Sequence, residues 1–130
     1  MEKIFYKGIL IGIRITRLAA GAHPITGDKE PLQILTHKHL NGKHVVAHFH
    51  VPRPRRTKEL QECLIVRKGK VRIDLYGPDG KYFKRLYLSK GQLFLRLHGG
   101  YAVHFSKSSE VFEIKNGPFL KDEVAIKSRI

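Results

Sequence analysis

Apolar residues in this chain recur with a period of two, and no stretch keeps the i, i+3, i+4, i+7 spacing of an amphipathic helix for three turns. That pattern restricts the chain to strands. Val71, Ile73 and Leu75 share one face and Arg72, Asp74 and Tyr76 the other; Gly77-Pro78-Asp79-Gly80 then turns the chain, and residues 82–88 return as the partner strand. Leu93, Leu95 and Leu97 alternate with Phe94, Arg96 and His98 up to Gly99-Gly100, after which Tyr101, Val103 and Phe105 resume the alternation. Further strands are predicted over residues 4–5, 9–15, 33–40, 44–50 and 111–115, with 124–127 as the last. The polar stretch 21–30 reads as a separator, and 57–61 is the one place for a helical turn. About ten short strands with frequent glycine and proline predict an all-β sandwich or barrel of antiparallel strands.

A chain of 130 residues with 42% hydrophobic content can bury one core and is short for two, so a single domain, 1–130, is expected. The single cysteine, Cys63, lies in the apolar run Cys63-Leu64-Ile65-Val66, which excludes an intrachain disulfide and suits a buried thiol in a reducing cytoplasm. Lys7 interrupts the apolar N-terminus, no cleavage site follows it, and no run of 18 apolar residues occurs, so neither a signal peptide nor a membrane span is expected.

Lysine and arginine number 25 against 11 aspartates and glutamates, a formal charge of +14. Such an excess concentrates anionic partners around the chain. The basic residues are spread along it, and the one dense cluster is Arg53, Arg55, Arg56 and Lys58. With no groove-reading helix and no stacking aromatics beside them, the charges argue for a small anionic molecule over nucleic acid. The three arginines either clamp a phosphate or sugar acid through bidentate hydrogen bonds or solvate a loop. No Ser-His-Asp set, Walker-type loop or Cys-x-x-Cys is present, which removes several enzyme classes.

His48 and His50 stand two apart on a predicted strand and leave the same face, a few ångströms apart, as a metal requires. His37 and His39 repeat the spacing, so His-x-His alone is also what a solvated strand face looks like. The surroundings add to it. Five residues separate Gly42 from His48, and six separate Glu62 from Gly69. Gly42-x5-His48-x-His50 and Glu62-x6-Gly69 resemble the first motif of the cupin superfamily. That motif usually has three or four residues between its halves, whereas eleven stand here, Val51 to Gln61. The insert leaves Glu59 as a rival for Glu62, which the spacing to Gly69 and the following Leu64-Ile65-Val66 favour. The second cupin motif is matched in part: Gly91 opens it, Leu97 stands at its proline, and Tyr101 is nearest to its histidine, with His98 and His104 beside it.

More narrowly, the chain from Ile4 to Lys127 resembles a subgroup of bacterial cupin proteins often encoded among polysaccharide-biosynthesis genes. The features are Pro31-Leu32-Gln33, the insert with Arg53 to Arg56, Gln61-Glu62, the Tyr76 to Gly80 turn, Gly99-Gly100, and Glu113-Ile114-Lys115-Asn116-Gly117-Pro118-Phe119. In that subgroup the long insert is normal, and a histidine mostly stands where this chain has Tyr101.

The resemblance implies a cupin-type double-stranded β-helix, a jelly-roll barrel with His48, His50 and Glu62 as metal ligands at its mouth. Two imidazoles and a carboxylate suit Fe(II), Mn(II), Ni(II), Co(II) or Zn(II) and leave positions open for water or substrate. Tyr101 is then a weak fourth ligand, a proton donor or a packing residue, and Tyr101 with Glu62 forms the candidate catalytic pair; His98 and His104 are the other candidates for a fourth ligand. His104 is predicted on the opposite strand face from Tyr101. Glu113 either lines the barrel or pairs with a lysine, and Arg96 carries no functional signal. The expected activity is that of a metal-binding cupin acting on a small anionic molecule such as a sugar or nucleotide-sugar intermediate; the alternative is a ligand-binding module with a degenerate metal site. A homodimer is implied as well, with residues 9–15 as its candidate edge.

Overall fold

The computed structural model describes residues 1–127, which form ten strands and no helix. The strands are β1 (Glu2–Tyr6), β2 (Ile9–Ile15), β3 (Gly21–Pro24), β4 (Leu35–Lys38), β5 (Glu62–Lys68), β6 (Lys70–Tyr76), β7 (Tyr82–Ser89), β8 (Leu93–Arg96), β9 (Gly100–Phe105) and β10 (Glu110–Lys115). Every pairing is antiparallel. Five strands form one sheet in the order β1-β2-β8-β5-β10, three form another in the order β7-β6-β9, and β3 pairs only with β4. These pairings close no barrel among the described residues. The chain divides into two compact units, Met1–Arg17 with Leu60 onward, and Leu18–Glu59.

The first unit holds both larger sheets. Alternation puts Leu64, Val66, Phe94 and Ile4 of the five-stranded sheet against Val71, Ile73, Leu75, Leu86 and Leu88 of the three-stranded one, all at most 4% exposed. Each such side chain contributes about 1.5–3 kcal/mol by leaving water. The other face of the five-stranded sheet is also buried: Ile13, Leu95 and Cys63 form one row across β2, β8 and β5, flanked by Ile11, Ile15 and Leu97. Burial pushes the Cys63 thiol up to about 12, which keeps it protonated and inert at neutral pH.

The β6–β7 hairpin follows the alternation, with an unexpected addition on its polar face. Asp74 is 0% exposed there, its Oδ1 accepting from Arg85 Nε at 2.6 Å, while Arg72 Nη2 and His104 Nε2 lie 3.4 and 3.5 Å from Oδ2. Cross-strand register places Arg85 opposite Asp74 on β7 and His104 opposite Arg72 on β9, so two guanidinium groups and one imidazole close over one carboxylate.

The second unit is a hairpin followed by a long strandless segment. β3 and β4 pair from Gly21–Lys38 to Pro24–Leu35; Thr26 Oγ1 accepts from Ile34 N at 3.1 Å, and Gln33 Nε2 donates to Gly27 O and Glu30 O. From Leu40 to Glu59 every residue is exposed and no strand forms.

Several expectations are corrected. Residues 44–50 and 124–127 form no strand, because alternation supplies two faces but not the neighbouring ladder that a strand requires. The stretch 21–30, read as a separator, contains β3, and β4 is shorter than 33–40 because Gln33 is engaged in the hairpin loop. No helical turn forms at 57–61. Finally, β2 is no edge: it lies between β1 and β8 with Ile11, Ile13 and Ile15 buried, and so has no free ladder to offer a partner.

Candidate functional site

Glu62 opens β5, directly opposite Arg96 at the end of β8. Its neighbour Gln61 is 0% exposed, and the Gln61 backbone N–H donates to Asn116 Oδ1 at 2.8 Å, which ties the start of β5 to the end of β10. Arg96 is 9% exposed. Its guanidinium donates through Nη2 to Glu62 Oε1 at 2.9 Å and to Leu60 O at 3.0 Å, and through Nη1 to Gly99 O at 3.0 Å. The chain leaves Arg96 through Gly99, whose φ of +72° and close approach to the Tyr76 carbonyl leave no room for a Cβ. That turn aims the Gly99 carbonyl at the guanidinium.

Tyr101 enters from β9 and completes the group. Its ring packs on the core, 6.4 Å from the Phe94 ring, and the Arg96 guanidinium lies 5.5 Å from the ring centroid. The Tyr101 hydroxyl donates to Glu113 Oε1 at 3.5 Å, and Lys115 Nζ lies 3.8 Å from Glu113 Oε2. Glu113 thus both faces the cluster and pairs with a lysine. Burial raises the Tyr101 pKa well above the phenol range, and the Glu62 and Glu113 carboxylates add to the rise against an opposing effect of Arg96. The phenol therefore keeps its proton, and it packs on the core while donating to Glu113. His104, as the alternation predicts, turns to the opposite face and toward Asp74.

Two carboxylates are balanced by the Arg96 guanidinium and the Lys115 ammonium beside a neutral phenol, so the group carries no net formal charge in a chain of +14. A buried arginine with three fixed acceptors is a preorganised anchor, and the carboxylates beside it accept hydrogen bonds from hydroxyls. Arg96 is the residue that sequence reasoning missed. Its signal was phase: it shares a face with Phe94, which is 0% exposed and points between the sheets.

In the Leu18–Glu59 unit, the His48 and His50 rings stand 5.1 Å apart in an edge-to-face arrangement. The His48 Nδ1 lies 2.7 Å from the Val46 carbonyl, to which it donates. His37 and His39 make a similar pair, with Nδ1 of the first 2.9 Å from Nε2 of the second, so that each ring occupies the other. Arg53, Arg55, Arg56 and Glu59 are exposed on the same segment. The structure thus groups Glu62 with Tyr101 in one unit and His48 with His50 in the other. Among the described residues, no three His, Cys, Asp or Glu side chains gather closely enough to hold a metal ion. Nor does any helix among them have the length and apolarity to cross a membrane.

Comparison of the chain with protein-family models, with curated proteins and with solved structures returned no match.

Proposed function

We propose that this chain is a cupin-type jelly-roll protein of the cytoplasm, tied to polysaccharide metabolism, that captures a small anionic ligand such as a sugar or nucleotide-sugar intermediate. The observation that carries this reading is the Glu62–Arg96–Tyr101–Glu113 cluster, a buried cation flanked by hydroxyl-binding carboxylates. Arginine recognises a phosphate or sugar acid, the carboxylates take the ring hydroxyls, and Arg53, Arg55 and Arg56 raise the local concentration of anions. Titration calorimetry with a panel of nucleotide sugars at near-physiological salt tests it. Saturable binding that weakens about tenfold in Tyr101→Phe, the loss of one hydrogen bond of about 1.4 kcal/mol, supports the reading; no binding by the intact protein refutes it.

A second reading, a metal centre of His48, His50 and Glu62, is supported by the His48 imidazole, whose Nδ1 bonds a backbone carbonyl as in metal-bound histidines. Arg96 engages Glu62 Oε1 and the Tyr101 phenol also hydrogen-bonds the Glu62 side chain, so a metal would have to take the carboxylate in exchange for one of these bonds. His48, His50 and Glu62 would hold a divalent metal, which would polarise a carbonyl or hydroxyl and lower the pKa of bound water, and Tyr101 beside Glu62 would be the proton donor. Metal analysis of untagged protein decides it: stoichiometric Fe, Mn, Ni, Co or Zn that is lost in His48→Ala favours the metal centre, and none in either favours simple capture.

A further inference from the structure

The outer face of the three-stranded sheet carries a second group of charged side chains, on the side of β9 opposite to Tyr101. Register sets Tyr87 of β7, Arg72 of β6 and His104 of β9 in one row across it. Lys70, two residues before Arg72, holds its Nζ 5.5 Å from the Tyr87 ring centroid, and Arg85, two residues before Tyr87, reaches Asp74. Residues two apart on a strand are separated by about 6.7 Å and neighbouring strands by about 4.8 Å, so these groups share a strip about 10 Å wide. Tyr87 is 48% exposed, and Lys70, Arg85 and His104 are exposed with it.

Positive charge on this face is in excess. Asp74, wholly covered, accepts hydrogen bonds from Arg72 Nη2 and from Arg85 Nε and Nη2. One carboxylate cannot balance Lys70, Arg72 and Arg85; it fixes the two guanidiniums beside the ring and leaves the face cationic. An exposed aromatic ring among fixed cations on an open sheet complements an extended polyanion that carries planar bases. The sequence argues against nucleic acid at the Arg53 cluster, where no aromatic stands beside the charges. Here register brings an aromatic among charges that lie far apart along the chain.

We propose that this face binds single-stranded nucleic acid, with Tyr87 stacking on a base, Lys70, Arg72 and Arg85 meeting phosphates, and the His104 imidazole offering a second ring on the far strand. A single strand is favoured over a duplex because a surface ring stacks only on bases splayed out of a helix. It is favoured over a small phosphorylated ligand because the cations are spread along β6 and β7 on an open face. It also gives the formal +14 of the chain a use, since a polymer of phosphates neutralises several cations at once and releases a counterion for each. The inference is independent of the small ligand proposed above, which engages the other side of β9.

Fluorescence anisotropy with labelled single strands of about twelve nucleotides, oligo(U) and oligo(dT), tests it at near-physiological salt. The tighter-binding of the two should exceed a duplex of the same length by at least about tenfold in affinity. Tyr87→Ala should weaken that binding about tenfold, and Tyr87→Phe, which keeps the ring, should bind as the intact chain does. Lys70→Gln should lower the slope of log affinity against log salt by about 0.7, the loss of one phosphate contact. Both positions are exposed, so thermal unfolding of these variants should match that of the intact chain. No binding of either strand, equal affinity for the duplex, or full affinity in folded Tyr87→Ala overturns the proposal. So does equally effective competition by polyphosphate, which supplies the charge without the bases. Binding to phosphatidylserine vesicles in place of the oligonucleotides would make the face a membrane contact and overturn it as well.

Discussion

The two units solve the same problem, carrying charge on strand-forming sequence, in opposite ways. From Leu60 onward, two strand carboxylates are largely withdrawn from water and paired: Glu62 with Arg96, and Asp74 with the partly solvated Arg85, Arg72 and His104. From Leu40 to Glu59, charged and apolar residues alike face water. Burial converts a charge into a stability determinant, because removing its partner strands it in low dielectric. Exposure leaves stability untouched and makes the side chain available to something else. Substitutions in the sandwich should therefore unfold the protein, and those in the segment should alter only what it binds.

The largest effect is expected at Arg96. Arg96→Ala strands the Glu62 carboxylate and the Leu60 and Gly99 carbonyls, and denaturant unfolding should show a loss of about 3–5 kcal/mol. A loss below about 1 kcal/mol would mean that the cluster is wet and that the contrast between the units fails. Asp74→Asn comes next. Arg85 and Arg72 are partly solvated, which screens their pairing, so a loss of about 2–3 kcal/mol is expected.

Asp74 also sets an acid response. Burial opposes its ionisation, but the Arg85 hydrogen bond and charge, followed by the charges of Arg72 and His104, outweigh that and hold its carboxyl below the ordinary value. A carboxyl depressed in the folded state contributes stability that is present above the unfolded value, roughly 3.9, and is lost as pH falls through the folded one. Thermal midpoints should decline below about pH 4 in the intact chain and less steeply in Asp74→Asn; parallel profiles would assign the acid response to other groups.

The smallest effects belong to the exposed segment. His48→Ala and Arg55→Ala should each shift stability by less than about 0.5 kcal/mol in denaturant unfolding of metal-free protein. A larger loss in either would show that the segment is packed in solution.

The all-β class was legible because period two is a property of single strands, and β2, β6 and β7 lie almost where alternation puts them. Pairing was less so. Residues 44–50 alternate as well as 71–76 do, and only the latter has neighbours, so a ladder cannot be read from one strand alone. In the site, Glu62 and Tyr101 were visible as positions in a spacing pattern, and they do share one cluster. Arg96 was not, because arginine on an alternating strand ordinarily marks the wet face; its burial comes from three acceptors that register and the Gly99 turn bring together.

Thermal unfolding of the intact chain and of Arg96→Lys, each with increasing nucleotide sugar at near-physiological salt, tests most directly whether Arg96 anchors the ligand. The substitution keeps the charge and removes the guanidinium fork. The midpoint should rise with ligand in the intact chain and stay flat in the folded variant. An equal rise in both would show that the anion is held by diffuse surface charge and that the cluster binds nothing.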